Sequence, residues 1–227
     1  MINLYFMEID DRADPSILQK LLPLISQEKQ QRISSMHYEA DKKLSVYAEV
    51  LVRARACSAL SVRNQDIQIA VNAFGKPYIC NAPSFHFNIS HTRSAFAVAI
   101  GDVALGVDIE KMNKADPDVA GKVFTASEYA YVFSNDDSKD IRFNEIWTKK
   151  ESYIKWTGKG WSSDPLKIDV LSEPVVPQFA IIKIREYVVS ICSATMNKYP
   201  EVIQIRESEL LESVTTVSFM LDNRNYE

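Results

Sequence analysis

The sequence has few of the residues that build disulfide frameworks, zinc sites or membrane spans. Its 227 residues include only three cysteines, which are widely spaced and form no Cys-x-x-Cys pair. Cysteines used in this way are typical of reduced thiols in a cytosolic protein. No apolar run approaches the roughly 18 residues of a membrane span, and the first residues show no basic region followed by an apolar one. We therefore expect a soluble, cytoplasmic protein.

Glycine is also scarce, and positive charge is not in excess. The six glycines form no glycine-rich phosphate loop of the Walker type. A formal net charge of −4 argues against general affinity for nucleic acid or for anionic membranes. With 46% hydrophobic and 25% charged residues, the composition is ordinary for a globular protein with a sizeable core. We expect neither nucleic acid nor membrane as a partner.

The first half of the chain shows one strong helix pattern among several strand patterns. Apolar residues recur at spacings of three and four over Glu39–Leu60, which predicts a helix. Ser16–Ile33 predicts one or two further helices, because Pro23 must interrupt the pattern. Alternating or continuous apolar segments predict strands at Met1–Ile9, Ile67–Val71, Phe85–Ile89 and Ala95–Ile100.

The second half repeats this mixture of helices and strands. Thr125 and Glu128 form a capping-box pattern for a helix through about Phe133, and Phe143–Thr157 predicts a helix that Gly158 ends. Strands are predicted at Leu105–Glu110, Lys167–Leu171, Phe179–Ile184, Tyr187–Ala194, Val202–Ile205 and Ser213–Met220. We predict an α+β fold of two similar halves, 1–103 and 104–227, each with helices packed on an antiparallel sheet.

Two carboxylates share one face of the strand at Leu105–Glu110. Alternation directs the apolar side chains to one face and Gly106, Asp108 and Glu110 to the other. Neighbours on one face lie roughly 6–7 Å apart, so both carboxylates can reach one hard cation such as Mg²⁺. Gly106 lets a ligand or another backbone approach closely. The alternative is an ordinary strand with a solvated outer face.

A third carboxylate lies on the helix predicted at Phe143–Thr157. Trp147, Glu151 and Lys155 are spaced by four residues, so they share one face of this helix. On its own, the spacing also fits a solvated Glu–Lys pair worth about 0.2–0.5 kcal/mol.

Five segments in order resemble the signatures of 4′-phosphopantetheinyl transferases, of the large type that activates surfactin synthetase. The two main signatures are Gly106–Glu110 and Trp147–Lys155, at the separation found in that family. The supporting segments are Phe74–Pro77, Phe87–His91 and Gly158–Gly160. The resemblance extends from about Lys29 to Gly160 and is weak beyond it.

The resemblance implies an activity, a fold and a set of catalytic residues. The family transfers 4′-phosphopantetheine from coenzyme A to a serine of an apo acyl or peptidyl carrier protein and releases adenosine 3′,5′-bisphosphate. It implies two halves related by pseudo-two-fold symmetry, in a monomer with the site between them. Asp108, Glu110 and Glu151 would bind Mg²⁺, and Lys155 would contact the phosphate. The serine proton would pass to Glu151 or to a magnesium-bound water positioned by Glu110; the sequence leaves both open.

The resemblance also implies residues that hold the coenzyme A nucleotide. They are Lys29, Arg32, Ser45, Lys76, Ser90, His91 and Lys155. Lysine and arginine pair with phosphates, and serine and histidine donate hydrogen bonds to them. Each also has an ordinary structural interpretation, such as a solvated helix end for Lys29 and Arg32. One position departs from the family, because Leu44 precedes Ser45 where an arginine is common.

Two other functions fit part of the pattern. One is a magnesium-dependent hydrolase of nucleotide pyrophosphates, against which the missing Walker loop and the carrier-directed signatures argue. The other is a non-catalytic module that binds carrier proteins, against which the complete set of carboxylates and Lys155 argues. The sequence does not indicate which carrier protein is modified.

Overall fold

The described residues of the first half form five strands and three α-helices. The computed structural model describes residues 1–9, 14–134, 137–162, 164–172 and 177–222. The elements are β1 (Ile2–Glu8), α1 (Ser16–Leu21), α2 (Gln27–Ser34), α3 (Glu39–Leu60), β2 (Ile69–Val71), β3 (Pro77–Ile79), β4 (His86–His91) and β5 (Ala95–Gly101). Pro23 lies in a short 3₁₀ turn, Leu22–Leu24, which separates α1 from α2.

In the second half, the part of the chain that the structure describes forms four strands and four α-helices. They are β6 (Leu105–Lys111), α4 (Pro117–Val123), α5 (Ala126–Val132), α6 (Lys139–Thr157), β7 (Gln178–Ile184), β8 (Tyr187–Ser193), β9 (Glu201–Gln204) and α7 (Glu207–Asp222). Among the described residues, no helix is both long enough and apolar enough to cross a membrane.

Two sheets pack against each other, and a long helix lies on the outer face of each. One sheet has the order β4-β5-β1-β9 and the other β6-β8-β7. Apolar side chains of β1 and β5 form one core with those of β6, β7 and β8. Helix α3 contacts β4 and β5, whereas α6 contacts β6 and β8. This arrangement confirms the predicted α+β fold of two halves.

The end of the chain returns to the first half, which the sequence did not predict. Strand β9 pairs in parallel with β1, so the first sheet is mixed and not purely antiparallel. The strand predicted at Ser213–Met220 is wrong, because these residues belong to helix α7. Leu210 of α7 is buried in the core around α3, and this packing overrides the β-branched residues that favoured a strand. The strand predicted at Lys167–Leu171 is also wrong.

Candidate active site

Strand β6 and helix α6 are in backbone contact at Gly106. A Cβ atom at this position would lie 2.1 Å from the carbonyl oxygen of Ser152 and 2.3 Å from the backbone nitrogen of Trp156. Only glycine therefore allows the helix to lie so close to the strand. The close approach expected at Gly106 is made by the backbone of α6. It brings the helix face that carries Glu151 and Lys155 beside the strand that carries Asp108.

Strand β4, at the edge of the first sheet, contacts β6 at the edge of the second sheet. The side-chain oxygen Oδ1 of buried Asn88 accepts a hydrogen bond of 2.8 Å from the backbone N–H of Val107. Two residues further along β4, Ser90 Oγ donates to Asp108 Oδ1 at 2.9 Å. Side chains two residues apart share a face of a strand, so Asn88 and Ser90 both point toward β6.

Lys155 joins Ser90 and Asp108 into one cluster. Its Nζ atom lies 2.7 Å from Ser90 Oγ and 2.7 Å from Asp108 Oδ1. The Asp108 side chain is 4% exposed and that of Lys155 is 29% exposed. A buried carboxylate needs such a partner, because transfer of an unpaired charge from water is costly. The cluster combines β4 of the first half with β6 and α6 of the second.

Glu110 lies next to this cluster and is held by Trp147. The indole Nε1 of Trp147 donates to Glu110 Oε1 at 3.2 Å. Burial raises the pKa of Glu110 above its ordinary value, the charge of Asp108 raises it further, and the hydrogen bond from Trp147 opposes both effects.

Glu151 completes the group of acidic side chains. Burial raises the pKa of Glu151 to about 7, and the charges of Asp108 and Glu110 act in the same direction, while Lys155 opposes them. Asp108, Glu110 and Glu151 are thus close enough to repel one another. A cation bound among them would relieve this repulsion.

The chemical type of the donor atoms, but not their spacing as it stands, fits a hard divalent cation. Carboxylate oxygens are the ligands that Mg²⁺ prefers. Asp108 Oδ2 is buried and has no hydrogen-bond partner among the described residues. However, no three His, Cys, Asp or Glu side chains in the described ranges converge closely enough to hold a metal ion as they stand. Lys155 instead contacts Oδ1 of Asp108.

A cleft between α2, α3 and β4 gathers four of the residues expected at the nucleotide. This cleft, named the basic cleft for Lys29 and Arg32, has a volume of about 700 Å³ and is also lined by Ser45 and His91. Three acidic residues, Glu28, Asp41 and Glu49, line it as well. Its volume lies in the usual range of about 300–1,000 Å³ for ligand pockets. Burial and the nearby charge of Arg32 lower the pKa of Lys29, although Glu49 opposes this effect. An anionic ligand would offset the proximity of these two cations.

A second cleft extends from the basic cleft toward the carboxylates. It has a volume of about 500 Å³, is lined by Arg93, Glu110 and Lys111, and shares Asp41 and His91 with the basic cleft. The two clefts therefore form a continuous surface from Lys29 to Glu110. An elongated ligand with phosphates at both ends of this surface would meet Lys29 and Arg32 at one end and Glu110, one of the three acidic side chains, at the other.

The side chains of Leu44 and Lys76 are both held by contacts within the fold. Leu44, at the position where the family often has arginine, is 1% exposed and is part of the core of the first half. Its neighbour Ser45 lines the basic cleft. Lys76 Nζ donates to the carbonyl oxygens of Leu105 at 2.9 Å and Trp156 at 3.1 Å. Contact of Lys76 with the nucleotide stays a prediction.

A buried ion pair fixes another face of α6. Glu128 Oε2 lies 2.8 Å from Lys150 Nζ, and both side chains are at most 1% exposed. Glu128 also closes the capping box with Thr125 and accepts a hydrogen bond from the N–H of Val170. Because both carboxylate oxygens of Glu128 have partners within the fold, this residue has a structural role.

Sequence reasoning assigned no role to Asn88, Trp147 or Lys150. Asn88 precedes Ser90 by two residues, so strand alternation could have placed both on one face. Trp147 shares a helical face with Glu151, and this spacing was the available signal for its contact with Glu110. The partner of Lys150 could not be predicted, because Glu128 is on another helix.

The two halves of the chain match two family models. The model described as 4′-phosphopantetheinyl transferase, N-terminal, matches residues 12–103. The model of the 4′-phosphopantetheinyl transferase superfamily matches residues 104–200.

Curated bacterial proteins are similar over most of the chain. A 4′-phosphopantetheinyl transferase of Bacillus subtilis is 30% identical over 162 residues, which cover 71% of this chain and 72% of that protein. The 4′-phosphopantetheinyl transferase gsp of Aneurinibacillus migulanus is 33% identical over 161 residues, which cover 70% and 67%. The 4′-phosphopantetheinyl transferase Sfp of Bacillus subtilis strain 168 is 29% identical over 162 residues, which cover 71% and 72%.

Proposed function

Because this chain belongs to the 4′-phosphopantetheinyl transferase family, we propose that it moves phosphopantetheine from coenzyme A to a carrier-protein serine in a magnesium-dependent reaction. The chain is an enzyme of this class, and the family acts on coenzyme A and carrier proteins. Beyond this family activity, we propose that the reaction needs Mg²⁺, that it releases adenosine 3′,5′-bisphosphate, and that particular residues perform each task.

The observation that carries the proposal is the cluster of Ser90, Asp108 and Lys155. Lys155 Nζ contacts a residue of each half, at 2.7 Å in both cases. A lysine ammonium is suited to a pyrophosphate, because its three N–H donors can bind phosphate oxygens with charge-assisted hydrogen bonds. We propose that residues 1–103 bind the nucleotide and that residues 104–227 hold the metal and the catalytic groups.

The basic cleft would hold the nucleotide end of coenzyme A. Lys29 and Arg32 supply the positive charge for its 3′-phosphate, and Ser45 and His91 supply hydrogen bonds. Ser90 and Lys155, which are in contact beside β6, would contact the pyrophosphate. In this arrangement the phosphates of one ligand extend from the basic cleft to the acidic group.

The chemistry is attack of the serine hydroxyl on the β-phosphorus. The bond from the serine oxygen to phosphorus forms as the bond to the α-phosphate oxygen breaks, and adenosine 3′,5′-bisphosphate leaves. Lys155 would stabilise the negative charge that develops on the pyrophosphate. The serine proton has two candidate acceptors, Glu151 and a water molecule held by Glu110.

Asp108, Glu110 and Glu151 are the residues that would hold Mg²⁺. When bound, the metal would neutralise charge on the pyrophosphate oxygens and orient the leaving group. Removal of the metal would leave the three carboxylates to repel one another.

The same arrangement favours a monomer. Residues of both halves of one chain form the cluster around Lys155, so a second copy is not needed to complete it. We propose a cytoplasmic monomer without nucleic-acid or membrane partners. Light scattering that shows an obligate trimer would contradict this part of the proposal.

Intact-mass spectrometry of the carrier protein tests the function. The enzyme is incubated with coenzyme A, Mg²⁺ and an apo acyl or peptidyl carrier protein. We expect the carrier to gain the mass of one phosphopantetheine, and a carrier with its acceptor serine replaced by alanine to gain none. Excess chelator should abolish the gain, and Mg²⁺ or Mn²⁺ should restore it.

The other outcomes distinguish the competing functions. Cleavage of coenzyme A without modification of any carrier would indicate a pyrophosphate hydrolase. Binding of the carrier without modification or cleavage would indicate a non-catalytic module. Full transfer in excess chelator would remove the metal from the mechanism.

A further inference from the structure

The turn between β2 and β3 is tied to the second half of the chain by Asn72. Oδ1 of Asn72 accepts the backbone N–H groups of Phe74 and Lys76, at 2.9 and 3.0 Å, which shapes the turn. Its Nδ2 atom donates to the carbonyl oxygen of Gly158 at 2.8 Å, across 86 positions of sequence. One side chain thus fixes both the turn and its contact with the end of α6.

Lys76, at the other end of this turn, joins β6 to α6. Its Nζ atom donates to the carbonyl oxygen of Leu105 on β6 and to that of Trp156 on α6. Lys76 is half-buried, and burial lowers its pKa to about 8. A lysine that is removed from water in this way keeps its position through such hydrogen bonds.

The contacts of Lys76 and Asn72 lie at the carboxyl end of α6. The last carbonyl groups of a helix have no partner within the helix, and a cation is favourable there because of the helix dipole. Asn72 and Lys76 supply these partners for Gly158 and Trp156. Gly158 has a positive φ of 64°, and a Cβ atom there would lie 3.0 Å from Cδ of Lys76. The end of the helix is therefore packed directly against this lysine.

Lys76 and Asn72 contact the end of α6 close to the point where α6 packs against β6. Trp156 lies next to Lys155 in sequence, and its backbone nitrogen is one of the atoms against which Gly106 packs. Strand β6 carries Asp108, and helix α6 carries Glu151 and Lys155. A shift of α6 along β6 would change the distance of Lys155 from Asp108.

We propose that Lys76 and Asn72 are positioning residues that clamp the end of α6 onto β6 and onto the first half. Through this clamp they hold Lys155 and Glu151 in place beside Asp108. The role differs from direct contact of Lys76 with the nucleotide, which the family resemblance implies. The catalytic consequence of the clamp rests on the proposed transferase function, but the clamp itself does not.

Hydrogen exchange without coenzyme A tests the clamp directly. The variants are Lys76→Met, which removes the ammonium, and Asn72→Asp, which keeps the acceptor for the turn but loses the donor to Gly158. Lys20→Met, at an exposed position of α1, is the matched control for loss of a lysine. We expect amides in the last turn of α6 and in β6 to exchange at least about tenfold faster in both clamp variants, and unchanged in the control.

Kinetics then separate positioning from nucleotide binding. We expect Lys76→Met to lower kcat by about tenfold or more while the Kd for coenzyme A, measured by calorimetry, changes by less than about threefold. Lys76→Arg, which keeps a charged donor, should restore part of kcat. Melting temperatures establish that each variant is folded, and Asn72→Asp carries the test if Lys76→Met does not fold.

Two results would overturn the proposal. Unchanged exchange in α6 and β6 in both folded variants would show that no clamp exists. Loss of coenzyme A binding by Lys76→Met, with unchanged exchange, would show that Lys76 is a nucleotide ligand. If the unaltered protein transfers no phosphopantetheine, the proposed function fails, and the exchange measurement still decides on the clamp.

Discussion

Nζ of Lys155 lies 2.7 Å from Oγ of Ser90, 65 positions earlier in the chain. Ser90 is the last residue but one of β4, at the edge of the first sheet, and Lys155 lies in the last turn of α6. The contact places a cation where the two halves meet and where Asp108 is buried. The proposed chemistry depends on this cation.

Replacement of Lys155 by alanine should affect both stability and binding. Asp108 would remain buried with Ser90 as its hydrogen-bond donor, and we expect a loss of about 1–3 kcal/mol in the free energy of unfolding. Transfer should slow, and coenzyme A should bind more weakly, because the cation contacts the pyrophosphate before and during reaction. Urea unfolding, calorimetry and steady-state kinetics measure the three effects. Unchanged binding and turnover would reduce Lys155 to a structural partner of Asp108.

Gly106→Ala should disrupt the contact of β6 with α6. The added Cβ would meet backbone atoms at 2.1 and 2.3 Å, which no side-chain rotation can relieve. We expect a loss of at least about 3 kcal/mol in the free energy of unfolding, or failure to fold. Gly121→Ala in helix α4 is the control, since a Cβ there meets nothing within 4 Å and should be neutral or stabilising by up to about 1 kcal/mol. Equal effects of the two substitutions would contradict the close packing.

The metal-free protein should lose stability as the pH rises. The pKa of Glu151 is about 7 in the folded state against an ordinary value of 4.5, so the folded state binds the proton more tightly than the unfolded state. The stability that this group contributes is therefore fully present below about pH 4.5. It is lost as the pH rises to about 7, by up to roughly 3 kcal/mol, and by less where solvent screens the partly exposed carboxylate. The raised pKa of Glu110 acts in the same direction.

Urea unfolding in chelator at pH 5 and pH 8 checks this dependence. Glu151→Gln should show a smaller difference between the two pH values and should be more stable than the unaltered protein at pH 8. Mg²⁺ at pH 8 should restore stability to the unaltered protein and less to the variant. If the free energy of unfolding of the two proteins depended on pH in the same way, the pKa of Glu151 would not be raised by burial or by the charges of Asp108 and Glu110.

Lys29→Ala and Arg32→Ala should weaken binding of coenzyme A through its 3′-phosphate. We expect Kd to rise about tenfold for each, because a charged hydrogen bond to phosphate contributes about 1.5–3 kcal/mol and both sites are partly solvated. Dephospho-coenzyme A, which lacks the 3′-phosphate, should bind all the proteins with similar affinity. Lys20→Ala serves as the control for lost charge. A rise in Kd that is the same for both ligands would place these residues elsewhere on the nucleotide.

Local patterns were sufficient for most elements of the fold. The bounds predicted for α3 were correct, because apolar residues recur at spacings of three and four without interruption from Glu39 to Leu60. Pro23 separates α1 from α2, as expected because proline has no backbone N–H to continue a helix. The strand at Ser213–Met220 was wrong because its helix is stabilised by distant packing of Leu210 on α3. Propensity within the segment contains no information on such a contact.

The candidate site was predictable only in part, for a similar reason. Periodicity placed Asp108 and Glu110 on one strand face, and Glu151 and Lys155 on one helix face. Their proximity came from the family resemblance, since periodicity says nothing about contact between two elements. The links of Asn72 and Lys76 to Gly158, Leu105 and Trp156 join residues 29 to 86 positions apart. Contacts between residues so far apart in sequence can be identified only once the fold is known.

The steady-state kinetics of Glu151→Gln, with coenzyme A affinity measured by calorimetry, test the account most directly. Glutamine keeps the size of the side chain but removes the charge that would hold Mg²⁺ or accept the serine proton. The basic cleft should still bind the nucleotide, so we expect kcat to fall at least about 100-fold while the Kd for coenzyme A changes by less than about threefold. Near-normal turnover in a variant with an unchanged melting temperature would contradict the account.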